Sequence, residues 1–239
     1  GMTTGRDRAG NDSLVTITDF GSMGAEAYRT LRTNLIFSQA IQTLRTIVIT
    51  SPSPKDGKTT TAANLAVTFA QQGMRVLIID CDMRKARLHN MFQLAREPGF
   101  SQLLVKQATI EQVVQQTSVE NLWLISAGLL PANPSELLGS AIARTTIESL
   151  AGQYDIVILD TPPVHVAADA LILGSMANGV LLVLRAGHSE RDAAQEALQR
   201  LLNVGAYVVG AVLNDPDHKV PEYGSYYYYY DYHDEKVEA

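Results

Sequence analysis

The stretch that most constrains this chain is Ser51-Pro52-Ser53-Pro54-Lys55-Asp56-Gly57-Lys58-Thr59-Thr60-Thr61. An apolar run, Ile47-Val48-Ile49, precedes it, and a long helical pattern from Ala62 to Gln72 follows. Strand, tight loop, Gly-Lys-Thr and helix make the layout of a phosphate-binding loop. The strict pattern asks for Gly six residues before the Lys, where this chain has Pro52. The match is partial, so the surroundings must carry it. Read this way, backbone amides of Asp56, Gly57, Lys58, Thr59 and Thr60 cradle a nucleotide's phosphates, Lys58 neutralises them, and Thr59 holds magnesium.

A sheet supplies those surroundings. Apolar segments at 45–50, 75–80, 122–126, 155–160, 179–184 and 207–213 alternate with helical patterns at 24–39, 59–72, 135–150, 167–175 and 191–203. Short helical pieces are expected near 88–92, 100–105 and 110–115, and Ser135 is expected to cap the helix that runs to Leu150. This alternation predicts an α/β protein of P-loop NTPase type, a mostly parallel sheet with helices on both faces. The expected domain plan is a flexible arm over 1–22, the nucleotide-binding domain over 23–218 and a mobile tail over 219–239. Ligands of such sheets sit beyond the carboxyl ends of the strands. Asp80 and Asp82 end the second strand and Asp160 ends the segment at 155–160, so all three converge on the edge that carries the phosphate loop. Carboxylates there hold magnesium directly or through water. Cys81, between two of them, is expected to point into the core, as is Trp123. His89 and His165 have no companions at metal-ligand spacing, so magnesium is the only metal expected.

The net charge of −6 opposes nucleic acid as the main partner. The single cysteine excludes an internal disulfide and fits a reducing compartment. No apolar run reaches the ~18 residues of a membrane span, and no leader sequence is visible. Gly1 ahead of Met2 reads as an expression scar. Seven of the ten tyrosines, Tyr223, Tyr226, Tyr227, Tyr228, Tyr229, Tyr230 and Tyr232, crowd into the last stretch beside an acidic end. An Asp near the terminal phosphate can orient an attacking hydroxyl or take its proton. If the hydroxyl is water, the protein is an ATPase. If it is tyrosine, the protein is a kinase, and the tail is the obvious acceptor.

These residues resemble the bacterial tyrosine kinases of capsule and exopolysaccharide synthesis, over about Glu26 to Tyr232. Ser53 to Thr59 looks like the family's Walker A, Val76 to Arg84 its Walker A′ (apolar residues, then Asp-x-Asp-x-Arg), and Ile156 to Pro163 its Walker B. Glu26-Ala27-Tyr28-Arg29-Thr30-Leu31-Arg32 matches the Glu-x-x-Arg-x-x-Arg motif of ring assembly. Asn133-Pro134-Ser135-Glu136-Leu137-Leu138 is similar to a further family stretch, and the tyrosine cluster is a hallmark. The resemblance implies ATP and Mg2+ as cofactors, with phosphates on Lys58 and magnesium on Thr59, on Asp82, and through water on Asp160. It implies that Asp80 assists deprotonation of the incoming tyrosine and that Asn214 meets the adenine. Glu26, Arg29 and Arg32, whose spacing alone reads as a solvated helix ridge, become a homo-oligomer interface. Implied too are phosphorylation of one subunit's tail by the next, a membrane activator, other protein substrates, and a cytoplasmic place at the inner membrane face. The chain is either a free-standing kinase or the cytoplasmic part of a membrane protein. One departure stands out: Lys55 replaces a Gly that tolerates left-handed backbone, and its side chain is expected in solvent.

Two other readings compete. A MinD- or ParA-like positioning ATPase shares the sheet and motifs but carries a signature Lys five residues before the loop Lys, where this chain has Ser53. A non-catalytic regulator that binds nucleotide to control assembly is opposed by the intact Lys58, Thr59, Asp80 and Asp82.

Overall fold

The structure is a computed structural model that describes residues 14–38 and 44–215. The tyrosine cluster at 223–232 lies outside the described residues, as does most of the expected arm. In chain order the strands are β1 (Thr46–Thr50), β2 (Val76–Asp80), β3 (Val114–Gln116), β4 (Leu122–Ile125), β5 (Ile156–Asp160), β6 (Gly179–Arg185) and β7 (Val208–Asn214). They form one sheet in the order β3-β4-β2-β5-β1-β6-β7. Every pairing is parallel except β3 with β4. Every residue of β1, β2 and β5 is buried. That is why these segments read as unbroken apolar runs rather than alternating ones: a central parallel strand is covered on both faces.

The helices are α1 (Val15–Thr18), α2 (Met23–Ser38), α3 (Lys58–Ala70), α4 (Leu88–Met91), α5 (Phe100–Leu104), α6 (Ile110–Val113), α7 (Pro134–Leu138), α8 (Ala141–Ala151), α9 (Asp169–Gly174) and α10 (Arg191–Asn203). Two apolar layers sandwich the sheet. One packs Ile47, Ile49, Ile78, Leu124 and Ile158 against Leu65, Val67 and Phe69 of α3. The other packs Val48, Leu77, Ile79, Val157 and Leu159 with Ile147 of α8, Leu173 of α9 and Leu201 of α10. Helix α3 is buried from Thr61 to Ala70. Its alanines let it lie close to the sheet, so Lys58 at its first turn is held against the strand ends.

Three expectations need correction. The arm over 1–22 is not featureless: Leu14 onward is ordered, α1 forms, and Thr16 is fully buried, its N–H and hydroxyl both donating to Asn64 Oδ1 (3.1 and 2.8 Å). A polar residue with no periodic neighbours can still be fixed by a buried amide partner on another helix. The single helix expected from Ser135 to Leu150 is two helices, broken at Gly139-Ser140. Ser140 is the actual cap of α8, its Oγ accepting from Ala143 N at 3.2 Å. The helical piece expected at 110–115 ends at Val113, and Val114–Gln116 turns into the antiparallel edge strand β3. There the Gln115 amide donates to Ala95 O (2.9 Å) and to Ser126 Oγ (3.2 Å), tertiary partners that local periodicity does not reveal.

Candidate active site

The register places β5 between β1 and β2, with Asp80 directly beside Asp160 and Ile49 beside Asp160 on the other side. The loop leaving β1 thus opens next to both carboxylates, at the edge where such sheets bind ligands.

The loop is held by its own aspartate. Asp56 is fully buried. Its Oδ2 accepts from Ser53 N (2.9 Å) and its Oδ1 from Ser189 Oγ (2.8 Å). Asp56 O accepts from Asn214 Nδ2 (3.2 Å), and Arg185 Nη1 reaches Lys55 O (3.5 Å). Arg185 at the end of β6, Ser189 after it and Asn214 at the end of β7 therefore brace the loop from outside. The Asp56 side chain thus holds the loop in shape. Asn214, expected at the adenine, has its amide on the loop. Lys55 has φ +71° and is exposed, so a lysine occupies the left-handed position with its side chain in solvent, as expected. Gly57 has φ +92°, and a Cβ there would stand 1.9 Å from Asn214 Nδ2. Only glycine fits that position.

Lys58 lies at the centre. Its Nζ is 3.2 Å from Asp82 Oδ2, 3.6 Å from Asp160 Oδ1 and 3.2 Å from Thr59 Oγ1. Burial pulls its pKa down, but Asp160, Asp82 and Asp80 outweigh that and hold it above the usual lysine value. The cation is thus secure at neutral pH. Asp80 is fully buried, its Oδ1 accepting from Asp82 N (3.2 Å) and its Oδ2 from the N–H groups of Arg87 (3.0 Å) and Leu88 (3.1 Å) at the head of α4. Burial first, and Asp160 second, push Asp80 up to about 7. Burial likewise raises Asp160. Cys81 is fully buried with its thiol pushed well up by that burial, an inert core residue as its sequence position implied.

Magnesium fits these groups. Asp160 Oδ1 is buried without a hydrogen-bond partner, and Asp82 Oδ2 and Thr59 Oγ1 both lie 3.2 Å from the same ammonium. This is an oxygen donor set suited to a hard cation. No group of three or more His, Cys, Asp or Glu side chains positioned to hold a metal occurs among the described residues. Magnesium in nucleotide sites needs only one or two carboxylates, the phosphates and water supplying the rest.

The expected interface residues divide. Glu26 is exposed and pairs with Arg29 (2.9 Å). Arg29 folds over the Phe20 ring (4.0 Å) and donates to Phe20 O (2.6 Å). Arg32 does not face outward: it is buried, and its Nη1 donates to Thr68 O (2.9 Å) in the last turn of α3. A cation at a helix carboxyl end satisfies an orphan carbonyl and the helix dipole. Residues that spacing alone could not reveal are Ser189, Arg185 and Asp169. Asp169 reads in sequence as an ordinary helix-start aspartate, yet it is fully buried on Arg84.

A protein-family model described as "AAA domain" matches residues 44–208. "Tyrosine-protein kinase YwqD" of Bacillus subtilis is 39% identical over 217 residues, which cover 91% of each chain. The chain belongs to the bacterial tyrosine kinases. Among solved structures, the kinase domain of the Escherichia coli tyrosine kinase ETK aligns over 93% of this kinase and 88% of that domain at 32% identity, with a TM-score of 0.84. The chimerical protein CapA2B2 aligns over 84% of this kinase and 88% of that chain at 35% identity, TM-score 0.81. MinD of Pyrococcus horikoshii, complexed with Mg-ADP, shares the fold less closely: 25% identity over 71% of this kinase and 69% of that chain, TM-score 0.62. Whole-chain similarity to tyrosine kinases separates this kinase from the positioning ATPases, which the Gly-Lys-Thr loop alone does not do. No helix among the described residues is long and apolar enough to cross a membrane.

Proposed function

We propose that this kinase transfers the terminal phosphate of ATP to tyrosines of its own carboxyl-terminal cluster, one subunit's tail entering the next subunit's site. The observation that carries the reading is Lys58, held among Asp82, Asp160 and Thr59 at the head of α3. Lys58 and the amides of the Asp56–Thr60 turn bind and orient the phosphates. Thr59 and Asp82 would hold magnesium, and Asp160 would support it through water. Bound there, the ion neutralises charge that develops on the transferring group. Asp80, raised by burial and by Asp160 in the nucleotide-free protein, is the carboxyl placed to accept the tyrosine proton. Its carboxylate has about four acceptor sites. The amides of Asp82, Arg87 and Leu88 use three of them.

Assembly into a ring uses the exposed Glu26 side of α2, with Arg29 held ready on Phe20, while Arg32 keeps α2 on its own domain. Each phosphate added to the tail brings about −1.5 to −2 charge to a segment already beside Asp231, Asp234 and Glu235. Phosphorylated tails thereby repel one another and disfavour the ring. By family resemblance the kinase works at the inner membrane face with a membrane activator, acts on other proteins as well, and regulates capsule or exopolysaccharide synthesis and export. Incubation with magnesium and ATP, followed by peptide mapping, tests the core of this reading: phosphate is expected on tyrosines 223–232 and is lost in Lys58→Met.

A further inference from the structure

The turn that follows β2 sends successive side chains in different directions. Asp80 and Asp82 line the site, while Cys81 and Met83 between and after them are fully buried in the core. Lys85 N donates to Asp82 Oδ1 (3.0 Å) and to Asp82 O (3.2 Å), which closes the turn. Arg84 leaves it sideways, toward α7 and α9. Its Nη1 pairs with Asp169 Oδ2, and its Nη2 donates to Ser135 Oγ (3.2 Å). Ser135 Oγ in turn donates to Asp169 Oδ1 (2.5 Å). Asp169 is wholly buried, and each of its oxygens has a partner in this one clamp. Ser135 belongs to the Asn133–Leu138 stretch, to which the active-site geometry assigns no task.

Arg84 is part-exposed while Asp169 is wholly buried, and the two guanidinium nitrogens reach a carboxylate and a hydroxyl that are themselves hydrogen-bonded, which fixes the direction of the guanidinium fork. Here the fork is attached two residues beyond Asp82. Met83 anchors the turn from the core and Arg84 anchors it from the α7–α9 side, so Asp82 has little freedom between them. We infer that Asp169 and Ser135 are positioning residues for the magnesium-binding carboxylate: by gripping Arg84 they aim Asp82 at the site. The inference rests on the reading that Asp82 takes magnesium.

The test uses the full chain and a fluorescent ADP analogue, titrated with and without magnesium. The ratio of the two dissociation constants reports how well the ion is held, independently of catalysis. In Arg84→Lys, which keeps the charge and loses the fork, the magnesium gain falls about tenfold, the scale on which outer partners support metal ligands. In Ser135→Ala it falls about threefold, one hydrogen bond's worth. Magnesium-free affinity stays at the parent value in both, a modest fall in melting temperature accompanies the loss of a partner for buried Asp169, and excess magnesium restores the rate of tyrosine phosphorylation. Asp82→Asn removes the gain altogether. If Asp82→Asn loses the gain while Arg84→Lys and Ser135→Ala keep the parent ratio, the clamp does not position Asp82 and the inference fails. If Asp82→Asn keeps the gain, the assignment of Asp82 fails and the inference falls with it. A lowered melting temperature with an unchanged ratio marks a purely structural pair and also overturns it.

Discussion

Replacing Asp80 by Asn should change how the stability of the nucleotide-free protein depends on pH. Asp80 sits near 7 in the fold, against a reference of 3.8 for the free side chain. A carboxyl that is raised by folding binds its proton more tightly in the native than in the unfolded state. Stability is therefore greatest at low pH and falls as pH climbs through the interval between the two values. At about 1.4 kcal/mol per unit, a shift of about three units corresponds to roughly 4 kcal/mol, more than half of it lost between about pH 5 and pH 8. Asp160 lies beside Asp80 and is raised too, so the two carboxyls titrate as a pair. Lys58 and Asp82 are the other charged groups facing Asp80. Asn at position 80 deletes one proton of the pair and so flattens the slope without abolishing it. Urea unfolding of the parent and Asp80→Asn at pH 5, 6, 7 and 8 measures this. The variant should gain on the parent steadily as pH rises, by about 3 kcal/mol across the series. Parallel pH profiles would refute the argument, because they would mean that Asp80 is ionised throughout and its burial costs nothing.

Gly57→Ala places a Cβ 1.9 Å from Asn214 Nδ2 at a backbone angle of +92°, so nucleotide binding measured by calorimetry should be lost. Full affinity would show that the loop does not need this turn. Arg32→Ala frees the Thr68 carbonyl at the end of α3 and should lower the unfolding free energy by about 1–2 kcal/mol. Glu26→Ala should leave stability unchanged and instead reduce self-association seen by light scattering, under conditions where the parent associates. An unchanged mass would remove Glu26 from the interface. Ser140→Ala should cost about 1 kcal/mol by chemical denaturation, since it uncaps α8. A neutral effect would return the cap to another residue.

The sheet was legible because a buried parallel strand is an unbroken apolar run with a chemical residue at its end. Asp80 and Asp160 stand side by side in the register because both close such runs. The Gly-Lys-Thr loop was legible because no other residue substitutes for Gly57 or Lys58 in their roles. What sequence did not show was set by partners distant in the chain. The boundary of β3 depends on β4 and on Gln115 reaching Ala95, 20 residues away. The inward turn of Arg32 depends on a carbonyl 36 residues away, so a motif that reads as a surface ridge is split between surface and core. Asp169, 85 residues from Arg84, looks like any aspartate at a helix start until its burial is seen. Periodicity reports which face a side chain lies on, not which partner waits for it.

The Lys58 site is proposed to deliver phosphate to tyrosine rather than to water. Mass spectrometry of the protein after incubation with ATP and magnesium decides it, with Lys58→Met treated in parallel. Phosphate is expected on tyrosines between Tyr223 and Tyr232 in the parent and on none in the variant. Free phosphate accumulating in solution, with every tyrosine unmodified, would contradict it.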